Sequence, residues 1–314
     1  MDISIVVPLF NEEESLAELI AWIDKVLEER DYEVILVDDG STDGSWSVIQ
    51  NLSSQYGSKL KAIKLSRNYG KSAGLQKGFE VAKGKVVFTM DADLQDSPDE
   101  IIPMEKKLIE EGLDLVSGWK KKRHDPLTKT IPTKLYNWMT RRMSGIKLHD
   151  FNCGLKCYRN EVIKAVEVQG EMHRYMPLLA KAAGFDKIGE HIVQHQARKY
   201  GITKFGVERF TNGMLDLMTI VFMQRFGRKP MHLFGLLGTL TFLISAGIFC
   251  YIGGYKLYAM NQGIVAKNIT EISGFYIALV GMILGSQLFL TGFIAEMISR
   301  TDPSRKEYGV SDKI

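Results

Sequence analysis

The sequence predicts an α/β protein, in which a cytoplasmic domain with a mostly parallel sheet is followed by amphipathic helices and two transmembrane helices. Through residues 1–120, apolar runs suited to buried strands alternate with amphipathic helical patterns. Two later runs, 233–255 and 273–295, contain no Asp, Glu, Lys or Arg. A chain of 314 residues is long enough for a sizeable core and more than one structural unit.

The first part of the chain repeats one pattern, a strand and then a helix. The predicted elements are a strand at 3–10, a helix within 12–29, a strand at 32–41, a helix at 44–56, a strand at 60–66, a helix near 71–83 and a strand at 85–91. Continuous apolar strands separated by amphipathic helices are typical of a parallel sheet that is covered on both faces.

Polar motifs follow three of these strands: Asn-Glu-Glu at 11–13, Asp-Asp-Gly-Ser at 38–41 and Asp-Ala-Asp-Leu-Gln-Asp at 91–96. Ligands bind outside the carboxyl ends of parallel strands, so we expect these motifs to line one cleft. Adjacent carboxylates without a cation would repel and raise each other's pKa. A D-x-D pair with a neighbouring Gln instead suits Mg²⁺ or Mn²⁺, which bridges to diphosphate oxygens.

Several other classes of protein are disfavoured. The first strand is not followed by the glycine-rich G-x-G-x-x-G loop of dinucleotide-binding domains, and no G-x-x-x-x-G-K-[ST] loop is present. A net charge of +3 argues neither for nor against nucleic acid, and no nucleic acid is expected as a partner. Cys153, Cys157 and Cys250 form neither a disulfide framework nor a zinc pattern, which favours a reduced, cytosolic environment.

The two apolar runs exceed the roughly 20 residues that cross a bilayer core. The N-terminus has no basic region of the kind that opens a signal peptide. Basic residues flank the pair of runs on the outside: Arg225, Arg228, Lys229, Arg300, Arg305, Lys306 and Lys313. The positive-inside rule therefore predicts an integral membrane protein with both termini in the cytoplasm. The alternative is a pair of buried core helices.

Seven segments together resemble one family. They lie at 6–13, 37–45, 66–78, 90–101, 150–162, 170–180 and 197–210. The first four are similar to family 2 glycosyltransferases, which have the GT-A fold, a Rossmann-like, mostly parallel sheet. The last three are similar to the polyprenyl-phosphate glycosyltransferases, the group that contains dolichol-phosphate mannose synthase and bacterial two-span undecaprenyl-phosphate glucosyltransferases.

The resemblance implies a domain organisation and a location. The expected parts are a cytoplasmic GT-A domain at 1–208, an amphipathic juxtamembrane helix at 209–230, a two-helix transmembrane hairpin at 231–298 and a cytoplasmic tail at 299–314. The bacterial inner membrane is the expected location. Glycine-rich stretches in the spans leave room for close helix packing, so a homo-oligomer stays an open alternative.

The resemblance also implies roles for individual residues. The donor nucleoside pocket is expected from Pro8, Phe10, Glu12, Val37 and Asp39. The metal and diphosphate segment is Asp91, Ala92, Asp93 and Gln95, with Asp91 and Asp93 as catalytic residues and Asp91, Asp93 and Gln95 as metal ligands. Lys120, Arg198 and Lys204 match positions used on donor phosphates, and Lys129 and Thr133 match positions used on the acceptor phosphate. Asp39 as a turn cap, His173 as a structural histidine and Lys71 as a solvated helix-start charge are the alternatives.

The expected reaction is inverting transfer of a sugar from a nucleotide-sugar, with UDP-glucose favoured, to polyprenyl phosphate. A phosphate monoester has a second pKa of about 6, so the acceptor is already largely a dianion and needs no dedicated base. GDP-mannose or another UDP-sugar is the alternative donor. A polysaccharide synthase would carry Q-x-x-R-W, which is absent. A nucleotidyltransferase and a non-catalytic membrane scaffold are the remaining alternatives.

Two amphipathic stretches are placed to meet the bilayer. The first has helical spacing of apolar and basic residues at Leu135, Trp138, Met139 and Arg142. The second has one apolar face formed by Phe210, Met214, Leu217, Met218 and Val221. Helices of this kind can lie in the membrane interface. The alternative is that both are core helices of the domain.

Overall fold

The computed structural model describes residues 1–121, 137–170, 172–196, 229–265 and 267–301, together with the single residues 199, 218, 219, 222 and 226. The chain divides into two compact units, residues 1–220 and 221–314.

A seven-stranded sheet organises the described part of the first unit. Its strands are β1 Ile3–Leu9, β2 Tyr32–Asp38, β3 Leu60–Lys64, β4 Val86–Thr89, β5 Leu115–Trp119, β6 Lys156–Arg159 and β7 Ile188–Ile192. Their spatial order is β3-β2-β1-β4-β6-β5-β7. All neighbours pair in parallel except β6, which is antiparallel to both β4 and β5. The predicted mostly parallel sheet is confirmed.

Helices cover both faces of this sheet. They are α1 Leu16–Val26, α2 Ser45–Tyr56, α3 Lys71–Val81, α4 Ile101–Glu110, a helix α5 that includes residues 137–144, α6 Asn160–Ala165 and α7 Met176–Ala182. Side chains from α1, α2 and α4 share one core cluster with alternate residues of β1 and β2. Side chains from α3, α6 and α7 form the cluster on the opposite face.

The period of the apolar residues explains these two layers. In β1, Ile3, Ile5 and Val7 belong to one cluster and Val6 to the other, because successive strand side chains point to opposite faces. Every residue of β1 and β2 is buried, and both strands are nearly continuous apolar runs in the sequence. Helix α1 instead buries a single stripe at helical spacing: Leu16, Leu19, Ile20 and Ile23.

Helix α3 lies unusually close to β1 because two of its residues are glycines. A Cβ at Gly78 would lie 2.2 Å from Val6 Cγ1, and a Cβ at Gly74 would lie 3.1 Å from Pro8 Cβ. Real Cβ atoms do not tolerate the first of these distances. The glycines therefore fix how closely the helix can approach, and with it the position of its first residue, Lys71.

The second unit contains two long apolar helices, Pro230–Asn261 and Ser273–Thr301. Both are long and apolar enough to cross a membrane, and only 17% of the most apolar window of each is buried. Large side chains such as Leu243, Ile244 and Ile277 are exposed on their outer faces. A soluble core helix would bury such residues, so the described structure favours membrane spans over the alternative of core helices.

The two apolar helices pack against each other through small residues. A Cβ at Gly238 would lie 2.6 Å from the backbone nitrogen of Phe289, and one at Gly285 would lie 2.6 Å from that of Phe242. Such close approach between backbones is the usual role of glycine in membrane helix pairs. Gly238 and Gly285 therefore serve a helix contact within the chain.

We expect Gly285→Leu to disrupt this pair of helices, because the added side chain would meet the backbone of the facing helix. Overpacking of this kind costs about 1–3 kcal/mol. The matched control is Gly253→Leu, because nothing lies within 4 Å of a Cβ at Gly253. Thermal unfolding of the detergent-solubilised protein should show a lower midpoint for Gly285→Leu alone. Equal midpoints for the two variants would contradict the described packing.

Candidate active site

The sheet topology brings the sequence motifs to one edge. Six of the seven strands run in the same direction, and β6 runs against them. The carboxyl ends of these six strands and the start of β6 therefore meet on the same side. The motifs at 11–13, 38–41 and 91–96 all lie there, as expected.

The loops after β1 and β2 are joined by side-chain to backbone hydrogen bonds. The backbone N–H of Asn11 donates to Ser41 Oγ (2.9 Å), and the N–H of Thr42 donates to Asn11 Oδ1 (2.8 Å). The N–H of Glu12 donates to Ser45 Oγ (2.9 Å). Asn11 has a φ of 57°, a left-handed conformation that Asn tolerates better than most residues. These contacts make the first two loops a single wall of the cleft.

Asp39 connects β2 to the loop that precedes α3. Its two carboxylate oxygens accept hydrogen bonds from the backbone N–H groups of Tyr69 and Gly70, each at 2.8 Å. The side chain is buried, with 4% of its surface exposed. This geometry gives Asp39 a positioning role of the kind the turn-cap alternative describes, and its contact with a donor nucleoside stays a prediction.

The other predicted nucleoside residues lie on the same wall. Phe10 and Glu12 are half-buried at the end of β1, and Pro8 packs under Gly74 of α3. Val37 is fully buried in the cluster with Leu75, so its side chain belongs to the core. The roles predicted for Pro8, Phe10, Glu12 and Val37 in donor binding stay predictions.

The acidic segment turns immediately after β4. Leu94 has a φ of 59°, and the backbone N–H of Gln95 donates to Asp93 Oδ1 (3.2 Å). Asp91, Asp93 and Gln95 are each half-buried, whereas Ala92 is buried. The alternation leaves the two predicted metal carboxylates at the surface of the cleft.

Asp91 lies between a positively charged side chain and a glycine that leaves room for its carboxylate. The ammonium of Lys71, the first residue of α3, forms an ion pair with Asp91 Oδ1. On the other side, a Cβ at Gly154 would lie 2.4 Å from Asp91 Oδ2, so only glycine leaves room for this carboxylate. Burial would raise the pKa of Asp91, but Lys71, with a smaller contribution from Lys120, lowers that pKa to about 2. Asp91 is therefore ionised across the physiological range.

Lys120, predicted to contact donor phosphate, forms an ion pair with Asp96 at 2.7 Å. Its side chain is 12% exposed, and Asp96 is fully buried. Burial would lower the pKa of Lys120, but the carboxylates of Asp96 and Asp91 together raise it above its ordinary range. Lys120 thus stays protonated and braces the 91–96 turn, while its contact with a donor stays a prediction.

Two further buried groups lie behind the acidic segment. Burial raises the pKa of the Cys153 thiol to about 12, so this residue is not a thiolate nucleophile. His173 Nδ1 and Ser72 Oγ are hydrogen-bonded at 3.1 Å. Burial, together with Lys71 and Arg174, lowers the pKa of His173 well below its ordinary value. A neutral, hydrogen-bonded His173 agrees with the structural-histidine alternative.

Lys71 and Gly154 are the residues of this site that the sequence reasoning did not assign to it. Lys71 falls in the Gly-Lys-Ser-Ala-Gly segment at 70–74. The sequence suggested no specific partner for it, and a solvated charge at the start of a helix was the alternative. Gly154 falls between Cys153 and Leu155, with no signal except the glycine itself. Four predicted site residues lie outside the described part of the chain: Lys129, Thr133, Arg198 and Lys204.

The described residues fit a divalent cation that is shared with a bound diphosphate. They contain no group of three His, Cys, Asp or Glu side chains that could hold a metal by themselves. Mg²⁺ is usually held by one or two carboxylates, with phosphate oxygens and waters completing its shell. Asp91 and Asp93 would supply two carboxylates and Gln95 an amide oxygen to such a cation. The Lys71 ammonium on Asp91 also shows that this oxygen attracts a cation.

Comparisons with known proteins identify the family to which the sequence is similar. Residues 4–166 match the sequence profile described as Glycosyl transferase family 2. The chain is 37% identical over 305 residues to a dodecaprenyl-phosphate galacturonate synthase of Rhizobium johnstonii, covering 96% of this chain and 88% of the relative. It is 33% identical over 300 residues to an undecaprenyl-phosphate 4-deoxy-4-formamido-L-arabinose transferase of Aeromonas hydrophila, covering 95% and 88%.

Solved structures agree on the fold. Mannosyl-3-phosphoglycerate synthase from Rubrobacter xylanophilus matches with a TM-score of 0.58 at 15% identity, covering 72% of this chain and 75% of that one. Glucosyl-3-phosphoglycerate synthase from Mycobacterium tuberculosis, in complex with Mn²⁺ and UDP-glucose, matches with a TM-score of 0.53 at 20% identity, covering 71% and 78%.

Proposed function

The chain belongs to glycosyl transferase family 2, and from that premise we propose that it transfers a sugar from a nucleotide-sugar to a membrane polyprenyl phosphate, releasing a nucleoside diphosphate. One observation carries the proposal. Relatives named for sugar transfer to dodecaprenyl or undecaprenyl phosphate align with 95% or more of the chain, including the Asp91–Asp93 segment and both apolar helices. Undecaprenyl phosphate is the acceptor we propose.

The proposed mechanism is a single in-line displacement at the anomeric carbon. The lipid phosphate is already largely a dianion near neutral pH, so it needs orientation more than proton removal. Asp91, Asp93 and Gln95 would hold Mg²⁺ or Mn²⁺, and the metal would neutralise charge on the leaving diphosphate. Asp39 fixes the loop before α3, and Lys120 holds the 91–96 turn through Asp96. Lys120 therefore helps to position the 91–96 turn, and Asp39 the start of α3, before the donor binds.

The proposal also concerns the class of sugar that the donor carries. UDP-glucose, favoured from the sequence, has no specific support among the relatives. Their names instead point to galacturonate and to 4-deoxy-4-formamido-L-arabinose. We propose a nucleotide-activated sugar of this modified kind, with UDP-glucose and GDP-mannose as comparison donors.

A panel of donors tests this proposal. Purified protein in detergent, with Mg²⁺ or Mn²⁺ and undecaprenyl phosphate, would be offered the nucleotide-activated forms of galacturonate, formamido-arabinose, glucose and mannose separately. Mass spectrometry of the lipid fraction should show one dominant glycolipid. A protein that binds nucleotide but yields no glycolipid with any donor would contradict the proposed acceptor.

Helix α5 is the described surface that best suits contact with the bilayer. Trp138 is 62% exposed, and Arg142 and Met143 are exposed beside it. On the opposite side Asn137 and Thr140 are buried, and Asn137 Nδ2 donates to the carbonyl of His149 (3.0 Å). A helix anchored on one side, with an aromatic and a basic residue on the other, is typical of the membrane interface.

We expect Trp138→Glu to lower kcat/KM for undecaprenyl phosphate in vesicles about tenfold, because the helix would lose its interfacial anchor. With a short-chain, water-soluble polyprenyl phosphate the variant should match the unmodified protein. Ile109→Glu is the matched control, because Ile109 is equally exposed, at 60%, on α4. Equal losses with both acceptors would indicate damage to the domain and contradict a membrane role for Trp138.

The proposal also includes the orientation of the chain in the membrane and its division into segments. We propose that both termini lie in the cytoplasm, because the basic residues that flank the two apolar runs outnumber those between them. The expected division at 208, 230 and 298, the amphipathic helix at 209–230 and a homo-oligomer also stay proposals. Of the second amphipathic stretch, the structure describes Met218 but not Phe210, Met214, Leu217 or Val221.

A further inference from the structure

The ion pair between Lys71 and Asp91 lies at the surface of the cleft. The two side chains keep 27% and 33% of their surface exposed, unlike the fully buried carboxylate of Asp96. The pair also joins two distant segments, the start of α3 and the turn after β4. This ion pair can therefore break without disrupting the hydrophobic core.

The backbone of Lys71 is held more firmly than its ammonium group. Asp39 fixes the N–H groups of the two preceding residues, Tyr69 and Gly70. The glycines at 74 and 78 allow α3 to pack directly on β1. The lysine side chain has a flexible four-carbon stem and a compact charge. The ammonium can therefore swing about a fixed Cα.

A divalent cation bound by the D-x-D pair would need the carboxylate that Lys71 occupies. Asp91 Oδ1 contacts the ammonium, and the space beside Oδ2 is limited by the backbone at Gly154, where a Cβ would lie 2.4 Å from this oxygen. The metal and the ammonium both carry positive charge and would repel each other beside one carboxylate. They therefore compete for Asp91. A donor diphosphate bound through the same metal would offer a displaced ammonium another anion.

We infer that Lys71 exchanges between Asp91 and the donor diphosphate, holding the metal site when no metal is bound and moving to the diphosphate when metal and donor bind together. This inference rests on the proposed function, because it presumes a donor with a diphosphate. It gives Lys71 opposite effects on two binding steps: the residue weakens binding of the metal alone and strengthens binding of the metal–nucleotide pair.

The test measures both steps in Lys71→Met. Mn²⁺ binding without nucleotide is followed through water-proton relaxation, and UDP binding is then measured at saturating Mn²⁺. We expect Mn²⁺ to bind about fivefold more tightly to the variant, since a competing charge is gone, and UDP to bind about tenfold more weakly. Lys77→Met is the matched control, because Lys77 lies on the same helix with its ammonium 2.8 Å from Glu80 on the surface. It should change neither affinity.

The outcomes separate this inference from the proposed function. Mn²⁺ affinity that is unchanged or weaker in Lys71→Met overturns the exchange, even if the protein transfers sugar to the lipid. UDP affinity that is unchanged at saturating Mn²⁺ also overturns it. If Lys71→Met does not fold, Lys71→Gln tests the same loss of charge with a polar side chain, and Lys71→Arg should keep Mn²⁺ affinity near that of the unmodified protein. An arginine variant that behaves like the methionine variant would overturn a role for the charge.

Discussion

Replacing Asp93 with asparagine is expected to lower the turnover number at least about a hundredfold, in the range seen when a group that stabilises transition-state charge is removed. Asparagine keeps the size of the side chain and an oxygen that can accept the hydrogen bond from the Gln95 N–H, which lies at 3.2 Å. The turn after β4 should therefore persist. The negative charge is lost, so the metal binds less tightly and the leaving diphosphate is less well neutralised.

Steady-state kinetics at several Mg²⁺ concentrations measure this effect. Asp99→Asn is the matched control, because Asp99 lies a short distance along the same segment, where its carboxylate accepts a hydrogen bond from Trp22 Nε1 at 3.1 Å. The control should retain most of the activity. Full turnover of Asp93→Asn at saturating Mg²⁺ would contradict the metal role of the D-x-D pair.

The second large effect is expected for Gly154→Ala, which should reduce turnover about a hundredfold with little loss of stability. The added methyl group would lie 2.4 Å from Asp91 Oδ2, so the carboxylate must rotate away. The carboxylate is the end of a side chain at the cleft surface, which can move without disturbing the core. Misplacement of a catalytic group by about 1 Å can cost a hundredfold in rate.

Gly189→Ala is the matched control for this variant. A Cβ at Gly189 would lie 2.5 Å from Leu113 Cδ1, which is comparable crowding. Gly189 lies near the start of β7, at the end of that strand opposite to the cleft. Thermal unfolding and turnover, measured together, should show loss of activity for Gly154→Ala alone. An active Gly154→Ala protein would mean that the position of Asp91 does not limit the reaction.

The fold was largely predictable because the central strands β1 and β2 are mostly apolar and buried at every position, and a helix such as α1 carries a single apolar stripe. The convergence of the three polar motifs was also predictable, since the carboxyl ends of parallel strands share one edge. The antiparallel β6 could not be read from the sequence in this way. Its start brings Gly154 against Asp91, a contact between residues 63 positions apart that periodicity does not reveal.

The sequence shows which residues are charged, but it does not show which of them pair in the folded protein. Lys120 carries a charge suited to phosphate, yet the structure pairs it with Asp96 at 2.7 Å. Lys71 reaches Asp91 only because glycines in α3 and the carboxylate of Asp39 fix where the helix begins. These are consequences of tertiary packing. Similarly, a continuous apolar strand does not show which face a residue such as Val37 occupies.

The chemical identity of the lipid product tests the central claim most directly. The product from undecaprenyl phosphate and the preferred donor would be purified, and its phosphorus and sugar contents measured together with the released nucleotide. Transfer of the sugar alone predicts one phosphorus atom per sugar and release of a nucleoside diphosphate. Two phosphorus atoms per sugar with release of a nucleoside monophosphate would mean that a sugar phosphate is transferred, and would contradict the proposed reaction.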